Sequence, residues 1–197
     1  MKSIQNITQN TIIIKKSQFI TTLIPCSNKE EIKELLEKYS DPDATHNCYA
    51  YIVDHLEKAN DDGEPSQTAG LPMLNVLQKQ GLSNIIAIVT RYFGGIKLGA
   101  GGLTRAYSQS VAQAILASNV IETVPVDLYE IVLDYHFIKK FEHLMRVNNI
   151  KCIHQEYNEK VLYHCYVRDT SFLNAVQDLT SNQFIYKKIR TDYIEKD

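Results

Sequence analysis

The segment that most restricts what this chain folds into is an uninterrupted apolar run, Ile85-Ile86-Ala87-Ile88-Val89, that leads within a few residues into a glycine-rich stretch. A strand with one face in water alternates apolar and polar residues, so a run without a polar member reads as a strand covered on both faces. Five of the eight glycines of the chain lie from Gly94 to Gly102. Beyond them Leu103, Ala106, Tyr107, Ser110, Val111, Ala114 and Ile115 recur at helical spacing. A central strand, a glycine bend and a long helix therefore form the middle of a layered α/β structure.

The flanking elements fit around that centre. Thr11-Ile12-Ile13-Ile14 and Phe19-Ile20-Thr21-Thr22-Leu23-Ile24 read as a hairpin, with Lys15, Lys16 and Ser17 between its arms. Ser27-x-x-Glu30 reads as a capping box opening a helix whose buried stripe is Ile32, Leu35, Leu36 and Tyr39; Asp41-Pro42-Asp43 stops it. Cys48 to Val53 is strand-like, and a polar stretch follows from Asp54 to Gly70. Pro72 suits the first turn of a short helix carrying Met73, Leu74, Val76 and Leu77, which Gly81 ends.

From about Val126 the pattern restarts. Tyr129, Ile131 and Leu133 alternate as a strand, and Ile138, Phe141, Leu144 and Met145 mark a helix. A hairpin turning on Asn158-Glu159 places Tyr157 opposite Lys160 and Cys152 opposite Cys165. A helix capped near Asp169 or Thr170 and a last strand through Ile185 to Ile194 complete a β-α-β-β-α-β order, the ferredoxin-like arrangement. The expected fold class is α+β in two domains, residues 1–124 and 125–197, meeting near Val124-Pro125.

With 197 residues the chain has enough length for a core that needs no disulfide or metal. The 21 Lys+Arg against 23 Asp+Glu leave a net charge of −2, so no global basic field advertises nucleic acid. No apolar run approaches the length of a membrane span, and Met1-Lys2-Ser3 leads into polar residues, so the expected location is the cytoplasm, away from membranes. Four cysteines without a CxxC pair argue against a zinc or thioredoxin-type site. No metal and no cofactor is expected.

The candidate chemistry concentrates in residues 90–105. Gly94, Gly95, Gly99, Gly101 and Gly102 permit positive φ and close backbone approach ahead of a helix N-terminus, and Arg91, Lys97 and Arg105 add positive charge. No Gly-Lys-Ser/Thr ends the run, so a nucleotide-hydrolysis loop is not indicated. The glycines either shape a tight passage or open an anion- or RNA-phosphate-binding site. Asp61-Asp62-Gly63-Glu64-Pro65-Ser66 is a simple acidic turn, a set of carboxylates folded back onto Arg91 or Arg105, or, least favoured because no calcium-loop spacing follows, a holder of a hard cation. His46 precedes a strand near that turn and, with Asp62 and Glu64, is the raw material of general acid–base work. In the second domain Lys151, His164, Tyr166 and Arg168 lie on the hairpin face opposite Val161 and Tyr163, an open sheet face of the kind that stacks nucleotides or docks a partner.

The motifs Lys16-Ser17-Gln18-Phe19-Ile20, Ala44-Thr45-His46-Asn47-Cys48-Tyr49-Ala50, Asp61-Asp62-Gly63-Glu64-Pro65-Ser66, Thr68-Ala69-Gly70, Arg91-Tyr92-Phe93-Gly94-Gly95 and Leu98-Gly99-Ala100-Gly101-Gly102-Leu103-Thr104-Arg105-Ala106-Tyr107 resemble the IMPACT/YigZ family. The resemblance implies a first domain like the second domain of a small-subunit ribosomal protein and a ferredoxin-like second domain like the last domain of elongation factor G. It also implies a link to control of translation initiation under amino-acid starvation, through protein contacts in the eukaryotic members. Asp61, Asp62, Glu64, Arg91, Gly94, Gly95 and Arg105 match the family pattern. Gln67 stands where that pattern has Gly, and Ser108-Gln109 where it often has Gly after Ala-Tyr.

Two functional readings lead, beside a third in which the chain is a pure protein-interaction module with the first domain as its contact surface. One is a non-enzymatic regulator associated with translation and stress, binding RNA, the ribosome or a protein of the translation machinery through the Arg91–Arg105 loop and the second sheet. The other is a hydrolase-like enzyme on a small anionic or phosphorylated substrate, using His46 with Asp61, Asp62 and Glu64.

Overall fold

The computed structural model describes residues 1–196. The chain forms two compact units: Met1–Thr123 with the residues from Glu195 onward, and Val124–Ile194.

The first unit contains β1 (Lys2–Ile4), β2 (Thr8–Ile14), β3 (Ser17–Pro25), α1 (Ile32–Tyr39), β4 (His46–Val53), β5 (Leu56–Asn60), α2 (Gly70–Lys79), β6 (Ile85–Tyr92) and α3 (Ala100–Ala117). Its sheet runs β2-β3-β6-β4-β5, every neighbour antiparallel. The central strand β6 serves two cores, as its unbroken apolar run requires. Ile85, Ala87 and Val89 join Phe19, Leu23, Cys48 and Ala50 beneath α2 and α3. Ile86 and Ile88 join Ile24, Val53 and the α1 stripe of Ile32, Leu35, Leu36 and Tyr39 on the opposite face. Each fully buried aliphatic side chain contributes roughly 1.5–3 kcal/mol.

Several local expectations shift. The β2–β3 connection is a two-residue turn, Lys15-Lys16, with φ +45° and +65°, and Ser17 belongs to β3. Two successive positive φ values suit the twist of a tight hairpin. The capping box at Ser27 does not form: Asn28 accepts the Glu30 amide at 3.0 Å and opens a short 3₁₀ turn, Lys29–Glu31, before α1. The polar stretch after residue 54 holds β5, which pairs with β4 at the sheet edge.

The second unit carries most of β7 (Val120–Leu133), then α4 (Ile138–Val147), β8 (Lys151–Tyr157), β9 (Val161–Val167), α5 (Ser171–Thr180) and β10 (Phe184–Glu195), the expected β-α-β-β-α-β order. β9 and β10 flank β7, and β8 lies beyond β9. Its core joins Ile131, Leu133, Phe141, Tyr163, Cys165, Phe172 and Val176. Val124-Pro125 lies inside β7 rather than in a linker.

The β8–β9 turn has three residues, because Tyr157 pairs with Val161 rather than Lys160. Cys152 nevertheless faces Cys165, since a bulge at Ile153 absorbs one residue before His154 pairs with His164. Both cysteines are free thiols.

Candidate functional site

The glycine-rich passage borders a cleft of about 430 Å³ in the first unit, lined by Thr45, His46, Glu64, Pro65, Arg91, Phe93 and the segment from Lys97 to Ala100, with Leu103. β4 and β6 place His46 and Arg91 opposite each other in register. The acidic turn closes over their ends.

Each carboxylate of that turn has a separate task. Asp61 Oδ1 accepts the amides of Ala69 and Gly70 at 3.0 and 2.8 Å, and its Oδ2 accepts that of Gln67 at 2.7 Å. It thereby supplies acceptors for amides that the start of α2 leaves without helical partners. Asp62 Oδ2 accepts the Asn47 amide at 2.5 Å, while its backbone carbonyl lies 2.7 Å from His46 Nδ1. A carbonyl only accepts, so Nδ1 carries the proton and Nε2 is left facing Glu64 Oε2 at 3.9 Å.

Glu64 has a side chain only 3% exposed and is ion-paired with Arg91. Tyr107 donates to the same oxygen, Oε1, at 2.8 Å. Cys48 Sγ lies 2.9 Å from the Asp61 carbonyl and 3.3 Å from the Tyr107 hydroxyl. Burial, reinforced by the nearby carboxylates, pushes the Cys48 thiol up to about 12 despite its contact with Tyr107. Burial likewise raises the Tyr107 phenol. The Arg91 guanidinium lies over the rings of Phe19 and of Phe93, 5.3 and 5.5 Å from their centroids. It also donates to Ser17 Oγ at 3.4 Å, and Ser17 Oγ accepts the Gly94 amide at 3.1 Å.

Arg91 is thus an internal group, 5% exposed, that ties the acidic turn to the glycine passage. This is the folding-back of a carboxylate onto an arginine that the sequence allowed. Arg105 is exposed on α3, on the stripe of Gly101, away from the Ala100–Leu103 side that lines the cleft. The two arginines do not form one surface. Lys97 is the exposed cation at the cleft.

The glycines divide by role. A Cβ on Gly94 would collide with the backbone of Lys16, so the Lys15-Lys16 turn rests directly on this position. Gly95 and Gly99 have φ +83° and +74° with open space around them, and Gly99 precedes the first turn of α3. Gly102 packs against Leu98, where a Cβ would approach to 3.0 Å.

Sequence reasoning missed Lys15, Lys16, Phe93, Tyr107 and Ser17. The lysines read only as turn residues, and their approach to Gly94 is a contact between segments about eighty residues apart. Gln67 and Ser108 do not border this cleft. They line a separate groove of about 360 Å³ with Leu71, Asn75, Lys79 and Thr104. Gln67 adopts φ +63°, a conformation that glycine reaches without strain.

In the second unit, Lys151 faces Tyr166 in register, His164 Nε2 lies 3.3 Å from Glu130, and the Tyr166 hydroxyl donates to Asp192 at 3.0 Å. Arg168 is exposed just beyond β9. Among the described residues no cluster of His, Cys, Asp or Glu is arranged to hold a metal ion, and no helix is long and apolar enough to cross a membrane.

The chain has known counterparts. The family described as the Impact N-terminal domain matches residues 15–115. The chain is 40% identical over 196 residues to the IMPACT family member YvyE of Bacillus subtilis, covering 95% of this chain and 90% of that one. It is 38% identical over 156 residues to YigZ of Escherichia coli, covering 76% of each. A crystal structure described as that of a hypothetical protein superimposes with a TM-score of 0.69 at 31% identity, over 96% of this chain and 97% of that one. The chain belongs to the IMPACT family. Protein IMPACT of rabbit is 33% identical over 95 residues, 29% of its own length.

Proposed function

We propose that this protein is a translation-associated regulator that binds single-stranded RNA at the glycine-rich edge of its first unit. The observation that carries this reading is the meeting of exposed Phe93 and Lys97 at the cleft, with the Lys15-Lys16 turn seated on Gly94 beside them. Single-stranded RNA is held by cations that follow its phosphates and by aromatic faces that stack its bases. The α3 N-terminus adds amide dipoles of the sign that attracts phosphate. Arg91 serves by holding the Phe93 ring and the acidic turn in place. The second sheet is less suited, because His164 and Tyr166 are engaged by Glu130 and Asp192. The likeness of the two units to domains of a small-subunit ribosomal protein and of elongation factor G belongs to the same proposal.

Salt-dependent binding of RNA tests it. Replacing Lys15, Lys16 and Lys97 together by Ala should weaken binding and flatten the slope of log K against log salt by about 2, at roughly 0.7 for each phosphate no longer neutralised. Unchanged affinity and slope in the folded triple variant would overturn the reading.

The juxtaposition of His46 with Glu64 favours a second reading, acid–base work on a small phosphorylated substrate. Asp61 and Asp62 then act as supports rather than catalysts. Phosphomonoester turnover present in the parent and lost in His46→Ala would favour it over the first.

A further inference from the structure

We infer that the floor of this cleft is a ribose subsite, in which His46 Nε2 and Glu64 Oε2 read the 2′-hydroxyl of RNA. The inference rests on the reading of the cleft as a nucleic-acid site and adds which nucleic acid it selects.

Both hydrogen bonds to the Glu64 carboxylate converge on Oε1, from Arg91 and Tyr107. Oε2 is left turned toward His46 Nε2 at 3.9 Å, too far for a direct hydrogen bond and close enough for one oxygen to touch both. The carbonyl of Asp62 fixes the other ring nitrogen as a donor. In the neutral ring, two acceptors therefore face each other with no proton between them. Glu64 is 3% exposed at its side chain and His46 is 20% exposed, so the gap is open from the His46 side.

A hydroxyl bridges the two groups when Nε2 carries a proton and meets only one of them when it does not. With Nε2 protonated, it accepts from Nε2–H and donates to Oε2. With Nε2 bare, it donates to one of the two acceptors. The 2′-hydroxyl of RNA is both donor and acceptor and is the group that separates RNA from DNA. An ammonium group would also fit two acceptors, but Lys97 and the positive end of α3 border the same cleft and oppose a cation. They favour a phosphate beside the hydroxyl, and Phe93 offers a face for the base.

The test compares short single strands of one sequence as RNA, DNA and 2′-O-methyl RNA, by fluorescence anisotropy with the full chain and with His46→Ala. The expected result is RNA bound about tenfold or more tightly than DNA, the effect of one hydrogen bond to a charged group. The 2′-O-methyl strand, which cannot donate, should fall toward the DNA value. In His46→Ala, the ratio of RNA to DNA affinity should collapse toward one, whatever the variant does to the affinity for DNA itself. Equal binding of RNA and DNA by the parent overturns the ribose subsite and leaves the nucleic-acid reading standing. A preference that survives in His46→Ala places the 2′-hydroxyl contact elsewhere and also overturns it. Binding of neither strand removes both proposals.

Discussion

Tyr107 and Arg91 converge on a single oxygen, Oε1 of Glu64, from helix α3 and strand β6 respectively. A carboxylate this buried is tolerated because a charged and a neutral donor meet it together. Tyr107→Phe keeps the ring, which packs edge-on against Phe19 at 5.2 Å, and removes the hydroxyl that donates to Glu64 and accepts from Cys48. We expect a loss of about 1–3 kcal/mol. Arg91→Ala should cost more, about 3–5 kcal/mol, since it strands the carboxylate. Urea denaturation of both variants checks the ranking, and a Tyr107→Phe protein as stable as the parent would contradict it.

Alkaline pH should weaken the fold through Cys48. Burial raises its thiol to about 12, against an ordinary value near 9, so the folded chain keeps a proton that the unfolded chain releases. The contribution is fully present below about pH 9 and lost as pH rises through 12. Each such group steepens the decline by about 1.4 kcal/mol per pH unit. Cys48→Ala should make the slope between these values shallower by about one proton, measured by urea titrations at a series of alkaline pH values.

Gly94 and Gly95 are neighbours with different demands. An alanine at Gly94 collides with the Lys16 backbone, so the β2–β3 turn must move, and we expect a loss above about 2 kcal/mol. An alanine at Gly95 meets open space and bears only its φ of +83°, about 1–2 kcal/mol. Thermal melts that rank the two variants the other way would show that the turn yields to a side chain at Gly94.

Gln67 offers the opposite experiment. It holds a left-handed φ of +63° while its amide bonds Asp61. Gln67→Gly relieves that strain and adds freedom to the unfolded chain, so the net gain should be at most about 1 kcal/mol. A marked loss of stability would show that the Gln67 side chain has a packing role.

The parts of this fold legible in the sequence are those governed by local periodicity. The unbroken run of β6, the α1 stripe and the order of elements after residue 126 follow from spacing alone. β5 is not legible, because Leu56–Asn60 is almost wholly exposed, shows no alternation and owes its strand form to β4. Local pattern makes the turn at Asn158 one residue short and hides the bulge at Ile153; the two errors cancel at Cys152 and Cys165. In the site, the meeting of His46, Glu64 and the glycine passage is legible. The burial of Arg91, the separation of Arg105 and the reach of Asp61 to the α2 amides depend on contacts between distant segments, which no local pattern encodes.

Strand β6 divides its residues between two cores, Ile85, Ala87 and Val89 on one side and Ile86 and Ile88 on the other. Adding or deleting one residue within it would exchange the two sets, because side chains alternate with a period of two. The slot shaped for Ala87 would receive an isoleucine, and the slots shaped for isoleucines would receive smaller groups. No polar face betrays the slip by turning apolar residues to water; both packings simply fail together. The gene segment for β6 should therefore accept exchanges among aliphatic codons far more readily than the gain or loss of a single codon, so that in this strand length is held more tightly than spelling.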